Sequence, residues 1–368
     1  MYEGKTVAVV VPCYNEQTQI GTVLETMPDF VDRVLVVDDQ SRDDTVATVQ
    51  RYVQERDRAG RIELIEHRQN QGVGRAITTG YERARELEID ITAVMAGDGQ
   101  MAPAELELLV EQVAHGAADY AKGNRLFYNN AWGTIPKHRF LGNAFLSMLT
   151  KVASGYWHSV DSQTGYTAIS LEALRLLDLD GLYPRYGYPN DMLVHLNVWN
   201  MRVVDVPIEP VYNVGEQSKM KIWKVVPTIS WLIFKGFLWR MGHKYIIHNF
   251  HPLVLFYATG ALSSFGGSLL GLYLLVHRFT QGTPVATTSA LFSAFLVMSG
   301  LQLLLFGMWF DMEDNRMLRV LYRRIAPERR GHSQGLAASA SPDETLRLAA
   351  AGGERGPSSS SRPFGTDD

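Results

Sequence analysis

The sequence is short of cysteine and of net charge, and both shortages exclude classes of protein. One cysteine, Cys13, is present in 368 residues, so no disulfide can form within the chain, and this usage fits a reducing compartment. The 35 basic and 39 acidic residues give a formal net charge of −4, which provides no bulk attraction for nucleic acid. The apolar run 6–11 meets Pro12 and is too short for a secretory signal, so none is expected.

Long apolar runs are also missing from the front of the chain, which alternates short β-branched runs with helical stretches. Strands are predicted at residues 6–11, 33–37, 62–65 and 91–95, with a helix after each of them. A repeated strand–helix pattern predicts an α/β fold with a mostly parallel sheet and right-handed crossovers. Ligands of such sheets bind outside the carboxyl ends of the strands.

The fourth predicted strand ends in a stretch that suits a metal ion. Asp98 and Gln100 lie at its tip, and two glycines, Gly97 and Gly99, flank Asp98. A carboxylate and a carboxamide oxygen suit a hard divalent cation such as Mg²⁺ or Mn²⁺ that also takes phosphate oxygens. The alternative is a polar turn with an aspartate near a helix cap.

The other strand ends predict a nucleotide site at the same edge. Asp39 could accept hydrogen bonds from a base or ribose, and Tyr14 could lie against a base. Gly72 and Gly74 would permit close approach of the backbone to a ligand. Each signal alone is weak, since a glycine pair is more often a plain turn, but four strand ends agree.

The order of these motifs resembles the GT-A glycosyltransferases of family 2, and within them the polyprenyl-phosphate mannose and glucose synthases, including those that use dolichyl phosphate. The resemblance covers roughly residues 5–245. It rests on these segments: Pro12-Cys13-Tyr14-Asn15-Glu16, Asp38-Asp39-Gln40-Ser41, Asn70 to Ala76, Asp98-Gly99-Gln100, Gly123-Asn124-Arg125, Asp161 to Tyr166 and Gly215 to Lys219. In the second segment Gln40 replaces the family's usual glycine.

The resemblance implies roles for individual residues. Donor-binding roles fall to Pro12, Tyr14, Glu16, Asp38, Asp39, Gly72, Gly74 and Lys219, the last in a loop that closes over the diphosphate. Arg125 and Arg139 resemble the arginines that grip the lipid phosphate, for which a planar guanidinium is well suited. Asp161 and Gln163 are expected in the sugar pocket. Asp191 stands where many inverting relatives carry a catalytic acid, and it is either a sugar contact or a helix cap.

One departure from the family pattern concerns the metal. Where the synthases usually have the first aspartate of Asp-x-Asp, this chain has Ala96. By the resemblance, Asp98 and Gln100 would still reach a Mg²⁺ or Mn²⁺ ion, because these ions commonly rely on one or two protein carboxylates plus phosphates. The alternative is a family member that has lost catalysis.

The back of the chain is predicted to enter a membrane. Residues 221–250 mix apolar side chains and tryptophans with cations such as Arg240 and Lys244, which favours amphipathic helices in the membrane interface over a buried core helix. Residues 252–276 and 286–310 hold no charged side chain and are each long enough to span a bilayer. Arginines follow the second span, which predicts that both ends are cytoplasmic. The tail, rich in Ser, Ala, Gly and Pro, is expected to be disordered.

These features predict four parts: a cytoplasmic GT-A domain (1–220), interfacial helices (221–250), a two-helix membrane hairpin (251–312), and a basic segment with a disordered tail (313–368). The resemblance implies inverting transfer of a hexose from GDP-mannose or UDP-glucose to a polyprenyl phosphate at the cell membrane. A phosphate monoester has a second pKa of about 6, so this acceptor needs no general base. The alternatives are a polysaccharide-extending synthase, whose Gln-x-x-Arg-Trp motif is missing, and a non-catalytic membrane scaffold. Association of copies through the membrane helices is left open.

Overall fold

The computed structural model describes residues 1–57, 59–127, 137–209 and 222–323, which belong to one compact unit. The strands are β1 Val7–Cys13, β2 Arg33–Asp38, β3 Ile62–Glu66, β4 Ile91–Val94, β5 Tyr120–Asn124, β6 Thr167–Ser170, β7 Val203–Pro207 and β8 Arg319–Val320. The helices are α1 Ile20–Glu25, α2 Thr45–Arg56, α3 Val73–Glu86, α4 Leu106–Ala114, α5 Lys137–Ser154, α6 Leu171–Leu176, α7 Tyr188–Val198, α8 Ile222–Gly242, α9 Leu253–Gln281 and α10 Thr287–Asp314. Short 3₁₀ turns lie at Pro103–Glu105, Arg125–Phe127 and Arg316–Leu318.

The eight strands form one mixed sheet in the order β3-β2-β1-β4-β6-β5-β7-β8. β6 runs antiparallel to both of its neighbours, β4 and β5, and the other strand pairs are parallel. The predicted mostly parallel α/β sheet is therefore confirmed, and each of the four predicted strands is present. The parallel order β3-β2-β1-β4 brings the carboxyl ends of the first four strands to one edge.

The sheet is covered on both faces, as the β-branched runs predicted. All seven residues of β1 are buried. Alternate residues of β1 serve different cores: Val9 packs in a cluster with residues of α1 and α4, and Val10 packs in another with residues of α3. A strand buried on both sides favours apolar side chains, and the polar residues that follow β1 begin beyond its end, at Tyr14.

α8 lies against the α/β part of the unit instead of standing free. Ile229 and Ile233 of α8 are buried with Leu146 of α5 and Val194 of α7. Trp231, Phe234 and Leu238 are 48–59% exposed. The interpretation of Arg240 and Lys244 as interfacial charges is wrong, because they are 0% and 6% exposed and lie inside the unit. A π-helical turn, His243–His248, follows α8.

α9 and α10 pack side by side as a hairpin, and both are long and apolar enough to cross a membrane. Their outward faces carry exposed large apolar side chains such as Leu262, Phe265 and Phe295. After the hairpin the chain returns to the sheet, where β8 pairs with β7 through Val203–Arg319 and Val204–Val320. The segments that precede and follow the hairpin therefore contact the same α/β body. Residues 324–368, which include most of the predicted tail, lie outside the described part.

Candidate active site

The loops after β1 and β2 are fastened to each other at the edge where the predicted nucleotide motifs lie. Ser41 Oγ accepts a hydrogen bond from the backbone N–H of Asn15 at 2.9 Å, and Asn15 Oδ1 accepts one from the N–H of Arg42 at 2.8 Å. Pro12 is buried within β1, whereas Tyr14 is 38% exposed at its end. The N–H of Glu16 donates to Thr45 Oγ1 at 2.8 Å. These hydrogen bonds join the first two strand ends into one rim.

The two neighbouring aspartates after β2 organise the surrounding backbone. Asp38 is 2% exposed, and its Oδ2 accepts a hydrogen bond from the N–H of Ser41 at 2.9 Å. Asp39 is 3% exposed, and its carboxylate accepts hydrogen bonds from the N–H groups of Gln71 at 2.8 Å and Gly72 at 2.7 Å. Asp39 therefore holds the glycine-rich loop in place.

The ring of His67 also binds Asp39, and sequence reasoning missed it. Its Nδ1 lies 2.9 Å from Asp39 Oδ1, and its Nε2 lies 3.0 Å from Thr79 Oγ1.

Gln40, the residue after Asp39, has a positive φ of 62°, a backbone conformation that favours glycine. Its side chain bonds the backbone of Arg68 and Asn70 at 3.1 Å each, so the glutamine braces the same loop that Asp39 holds.

The glycines of the loop are required by a contact within the protein. A Cβ at Gly72 would lie 2.5 Å from the carbonyl oxygen of Pro184, and Gly72 has φ of 100°. A Cβ at Gly74 would overlap the carbonyl oxygen of Tyr183, and the N–H of Arg75 donates to Pro184 O at 3.1 Å. Residues 183–184 therefore also require glycine at both positions. The predicted close approach of a ligand to Gly72 and Gly74 stays a prediction.

Asp191 holds the other side of that contact. It lies in the first turn of α7, and its Oδ2 accepts a hydrogen bond from the N–H of Tyr183 at 2.8 Å. The N-cap of the helix is Gly187, so the helix-cap alternative for Asp191 is wrong. Burial raises the pKa of the Asp191 carboxyl, although the nearby His195 and the hydrogen bond from Tyr183 oppose the rise. The segment 183–184 therefore connects Asp191 to the glycine-rich loop.

Asp98 and Gln100 lie together beyond the end of β4. The N–H of Gln100 donates to Asp98 Oδ1 at 3.1 Å, and Gly99 between them has φ of 71°. Burial raises the pKa of the Asp98 carboxyl, although hydrogen bonds from Gln100 oppose the rise. Within the described ranges no group of three or more His, Cys, Asp or Glu side chains could hold a metal ion. A cation here would need further oxygens from a ligand.

Arg125 contacts a buried ionic network. The Nε and Nη2 of Arg125 donate to Asp161 Oδ2 and Oδ1 at 2.8 and 3.2 Å. Lys122, 2% exposed, donates to the carbonyl oxygen of Asp161 at 2.5 Å and pairs with Asp205 at 3.0 Å. Burial alone would raise the pKa of Asp161, but the charge and hydrogen bonds of Arg125 and the charge of Lys122 hold it below its ordinary value. No sequence pattern singled out Lys122 or Asp205, which lie on β5 and β7.

Of the three remaining predicted site residues, the structure describes the side chain of one, Gln163, and not those of Arg139 and Lys219. Gln163 Nε2 donates to Asn190 Oδ1 at 2.8 Å, so Gln163 lies beside the residue that precedes Asp191. The backbone of Arg139 is in α5, but its side chain lies outside the described part of the structure. Lys219 lies outside the described residues altogether.

Comparison with known proteins gives one matching family model and several relatives. Residues 8–177 match the model described as Glycosyl transferase family 2. The UDP-N-acetylglucosamine–dolichyl-phosphate N-acetylglucosaminyltransferase of Methanococcus voltae is 28% identical over 218 residues, 56% of this chain and 86% of that protein. A dolichyl-phosphate beta-glucosyltransferase of Trichomonas vaginalis is 27% identical over 257 residues, 64% of this chain and 73% of that protein. Glucosyl-3-phosphoglycerate synthase from Mycobacterium tuberculosis, solved with Mn²⁺ and UDP, has a TM-score of 0.47 and 18% identity, covering 65% of this chain and 81% of that chain.

Proposed function

This chain is a glycosyltransferase with a family 2 domain over residues 8–177, and from that premise we propose that it transfers a hexose from a nucleotide sugar to a polyprenyl phosphate such as dolichyl phosphate, with inversion. The observation that carries the proposal is that the strand-edge site and two helices fit to span a membrane belong to one compact unit. An acceptor anchored in a bilayer explains why the two are joined. The names of the relatives, which act on dolichyl phosphate, support the same acceptor.

The donor side of the site is the rim formed by the first three strand ends. Tyr14 is exposed there and offers a ring to the base. Asp39 fixes Gly72 and Gln71, so the backbone beside the nucleotide is rigid before binding, and less entropy is lost on binding. UDP-glucose and GDP-mannose remain the donor candidates, and the Methanococcus relative adds UDP-N-acetylglucosamine. Lys219 is proposed to close over the diphosphate.

Asp98 and Gln100 would hold the Mg²⁺ or Mn²⁺ ion. Their oxygens fit a hard cation, and the burial that raises the pKa of Asp98 is a cost that a nearby positive charge removes. One protein carboxylate is enough for Mg²⁺ when phosphates complete the shell, which is the situation when a nucleotide sugar is bound. When bound, the ion supplies charge neutralisation for the departing diphosphate.

The acceptor side begins at Arg125 and is proposed to continue to Arg139. Asp161 accepts hydrogen bonds from Nε and Nη2 of Arg125 and holds the guanidinium in one orientation, so little side-chain freedom is left to lose when Arg125 contacts the lipid phosphate. The acceptor phosphate is already largely dianionic at neutral pH and attacks the anomeric carbon directly. The task of the residues is to hold this anion in line with the leaving group. Asp191 and Gln163 are proposed to contact the sugar.

The arrangement supports a membrane location with the α/β part and both termini on the cytoplasmic side. α8 precedes the hairpin and β8 follows it, and both pack on the same α/β body, so the hairpin enters and leaves from one side. The exposed stripe Trp231, Phe234 and Leu238 on α8 is proposed to lie in the headgroup region of that leaflet. Copies could associate through the outward faces of the hairpin.

The test is transfer by the full chain in liposomes that contain polyprenyl phosphate. Radiolabelled UDP-glucose, UDP-N-acetylglucosamine and GDP-mannose are supplied separately with Mg²⁺ or Mn²⁺. One donor should move its label into the lipid extract, Asp98→Ala should abolish this, and Asp29→Ala, at an exposed aspartate in the loop before β2, should not. Label that stays in the aqueous phase with every donor would overturn the proposal.

A further inference from the structure

A set of buried polar side chains joins the membrane hairpin to the α/β body, and we call it the docking cluster. Its members are Asn197, Arg240, Lys244, Tyr245, Asp311 and Asn315, each at most 6% exposed. At its centre the guanidinium of Arg240 donates through Nη1 and Nη2 to Oδ1 and Oδ2 of Asp311, at 2.9 and 2.8 Å. The pair is fully buried, with both side chains 0% exposed.

The hydrogen bonds of the other members surround this pair. Tyr245 OH donates to Asp311 Oδ1 at 2.8 Å. Lys244 Nζ donates to Asn315 Oδ1 at 2.7 Å and to the carbonyl oxygen of Asn197 at 3.1 Å. Asn197 Nδ2 also donates to Asn315 Oδ1 at 2.8 Å. Burial and the neighbouring charge of Arg240 lower the pKa of Lys244 to about 8.

The members come from both sides of the hairpin and from the α/β body. Arg240 lies in the last turn of α8, and Asp311 lies 71 residues later in the last turn of α10, with almost the whole hairpin between them. Asn197 belongs to α7 of the α/β body. The carbonyl oxygen of Val152 in α5 accepts a hydrogen bond from Arg240 Nη2 at 3.1 Å. A Cβ at Gly155, just after α5, would overlap Arg240 Nη1, so the body fits closely around the guanidinium.

The energetics of such a cluster favour a role in fixing the geometry of the junction over a role in holding it together. Burying two charges costs desolvation energy that roughly cancels their attraction, so apolar residues of similar size are often as stabilising. Bidentate arginine–carboxylate contacts do, however, fix distance and angle, which an apolar contact does not. A junction that needed only adhesion could be apolar, as the Ile229 and Ile233 contact of α8 already is.

We propose that the docking cluster sets the orientation of the α/β body on the membrane hairpin, and that Arg240 and Asp311 are positioning residues for the transfer reaction. The second part rests on the proposed function, because only an acceptor held at the depth of the headgroups requires a fixed orientation. Tilting of the body would move the strand-edge site away from the lipid phosphate and leave nucleotide binding unaffected.

The first experiment measures orientation without any activity. Spin labels are placed at Gln54→Cys in α2 and Thr280→Cys near the end of α9, both exposed, in a Cys13→Ser background of the full chain in liposomes. Arg240→Met with Asp311→Leu removes the ionic contact and keeps the volume. The label-to-label distance distribution should be narrow in the parent and broad in this double variant. The control Arg175→Met with Glu88→Leu removes a surface pair that is 56% and 75% exposed and should leave it narrow.

The second experiment separates positioning from folding. The double variant should keep the nucleoside diphosphate affinity of the parent by calorimetry, while its KM for polyprenyl phosphate in liposomes rises at least tenfold. An unchanged distance distribution would overturn the proposed role in orientation, and a broadened one with unchanged lipid KM would overturn the positioning role. If the parent itself transfers no sugar to lipid, the proposed function fails, whereas the distance measurement still decides the role of the cluster.

Discussion

The guanidinium of Arg125 binds the carboxylate of Asp161 through two contacts, Nε to Oδ2 at 2.8 Å and Nη2 to Oδ1 at 3.2 Å. The resemblance gave the two residues separate roles, one toward the lipid phosphate and one toward the sugar. Their pairing couples these roles, because Asp161 is 2% exposed and has its charge compensated by Arg125 and Lys122.

Arg125→Ala is expected to affect both stability and lipid use. Leaving Asp161 buried without its main partner should lower the free energy of unfolding by on the order of 3 kcal/mol. Losing one charge-assisted contact to an anion should raise the lipid KM about ten- to a hundredfold. Arg125→Lys should recover part of the lost stability and part of the lost lipid affinity, because the ammonium keeps the charge but not the planar guanidinium. Thermal unfolding and acceptor titration measure the two effects, and a variant as stable as the parent would contradict the pairing.

Asp39→Asn is expected to weaken nucleotide binding indirectly. The carboxylate accepts from the N–H groups of Gln71 and Gly72, and a carboxamide would turn a donor toward one of them. The loosened loop should weaken nucleoside diphosphate binding by about ten- to a hundredfold in calorimetry, since an unsatisfied buried donor costs about 1–3 kcal/mol. Asp44→Asn, at an exposed position in the same loop region, should bind like the parent. Equal affinity in the two variants would argue against the bracing role of Asp39.

Asp191→Asn is expected to cost activity without costing stability at neutral pH. Burial raises the pKa of Asp191, so the folded state binds the proton more tightly than the unfolded state. The stabilising contribution is present below the unfolded value of about 3.9 and is lost as the pH rises through the raised value. The difference in Tm, variant minus parent, should therefore grow in favour of the variant between about pH 4 and pH 7. A difference that shrinks over that range would show that the sign is wrong.

Ala96→Asp tests the vacant ligand position beside the proposed metal site. Ala96 lies two residues before Asp98 and two residues after the end of β4. A second carboxylate should lower the Mg²⁺ concentration that gives half-maximal transfer, because ligand charge strengthens binding of hard cations. Ala96→Asn adds similar volume without charge and is the control. Identical metal dependence in both variants and the parent would place residue 96 away from the ion.

The sequence predicted the sheet and its polar edge well, because both depend on local patterns. β-branched runs mark the strands, and the residues after them, such as Asp39 and Asp98, fall at the carboxyl ends whatever the tertiary contacts are. The use made of these residues depends on contacts between distant segments. Asp39 accepts a hydrogen bond from the backbone of Gly72, 33 positions away. Gly74 must be a glycine because a Cβ there would overlap the carbonyl oxygen of Tyr183.

Charge patterns misled where one helix has two environments. Arg240 and Lys244 have the spacing and tryptophan neighbours of an interfacial helix, yet the structure buries both against α10 and α7. Nothing local distinguishes a cation that faces headgroups from one that faces a buried carboxylate. The signal that could have been used is Asp311, the acid that comes directly after the apolar run ending at residue 310.

The central claim, that the hexose is transferred to a polyprenyl phosphate, is tested most directly by mass spectrometry of the lipid product. The full chain in liposomes is given its preferred nucleotide sugar with either polyprenyl phosphate or the corresponding polyprenol. Because the phosphate dianion is the nucleophile and needs no general base, only the polyprenyl phosphate should gain the mass of one hexose. NMR of that product should show that the anomeric configuration of the hexose is inverted relative to the donor. Glycosylated polyprenol, or free sugar with the lipid unchanged, would contradict the account.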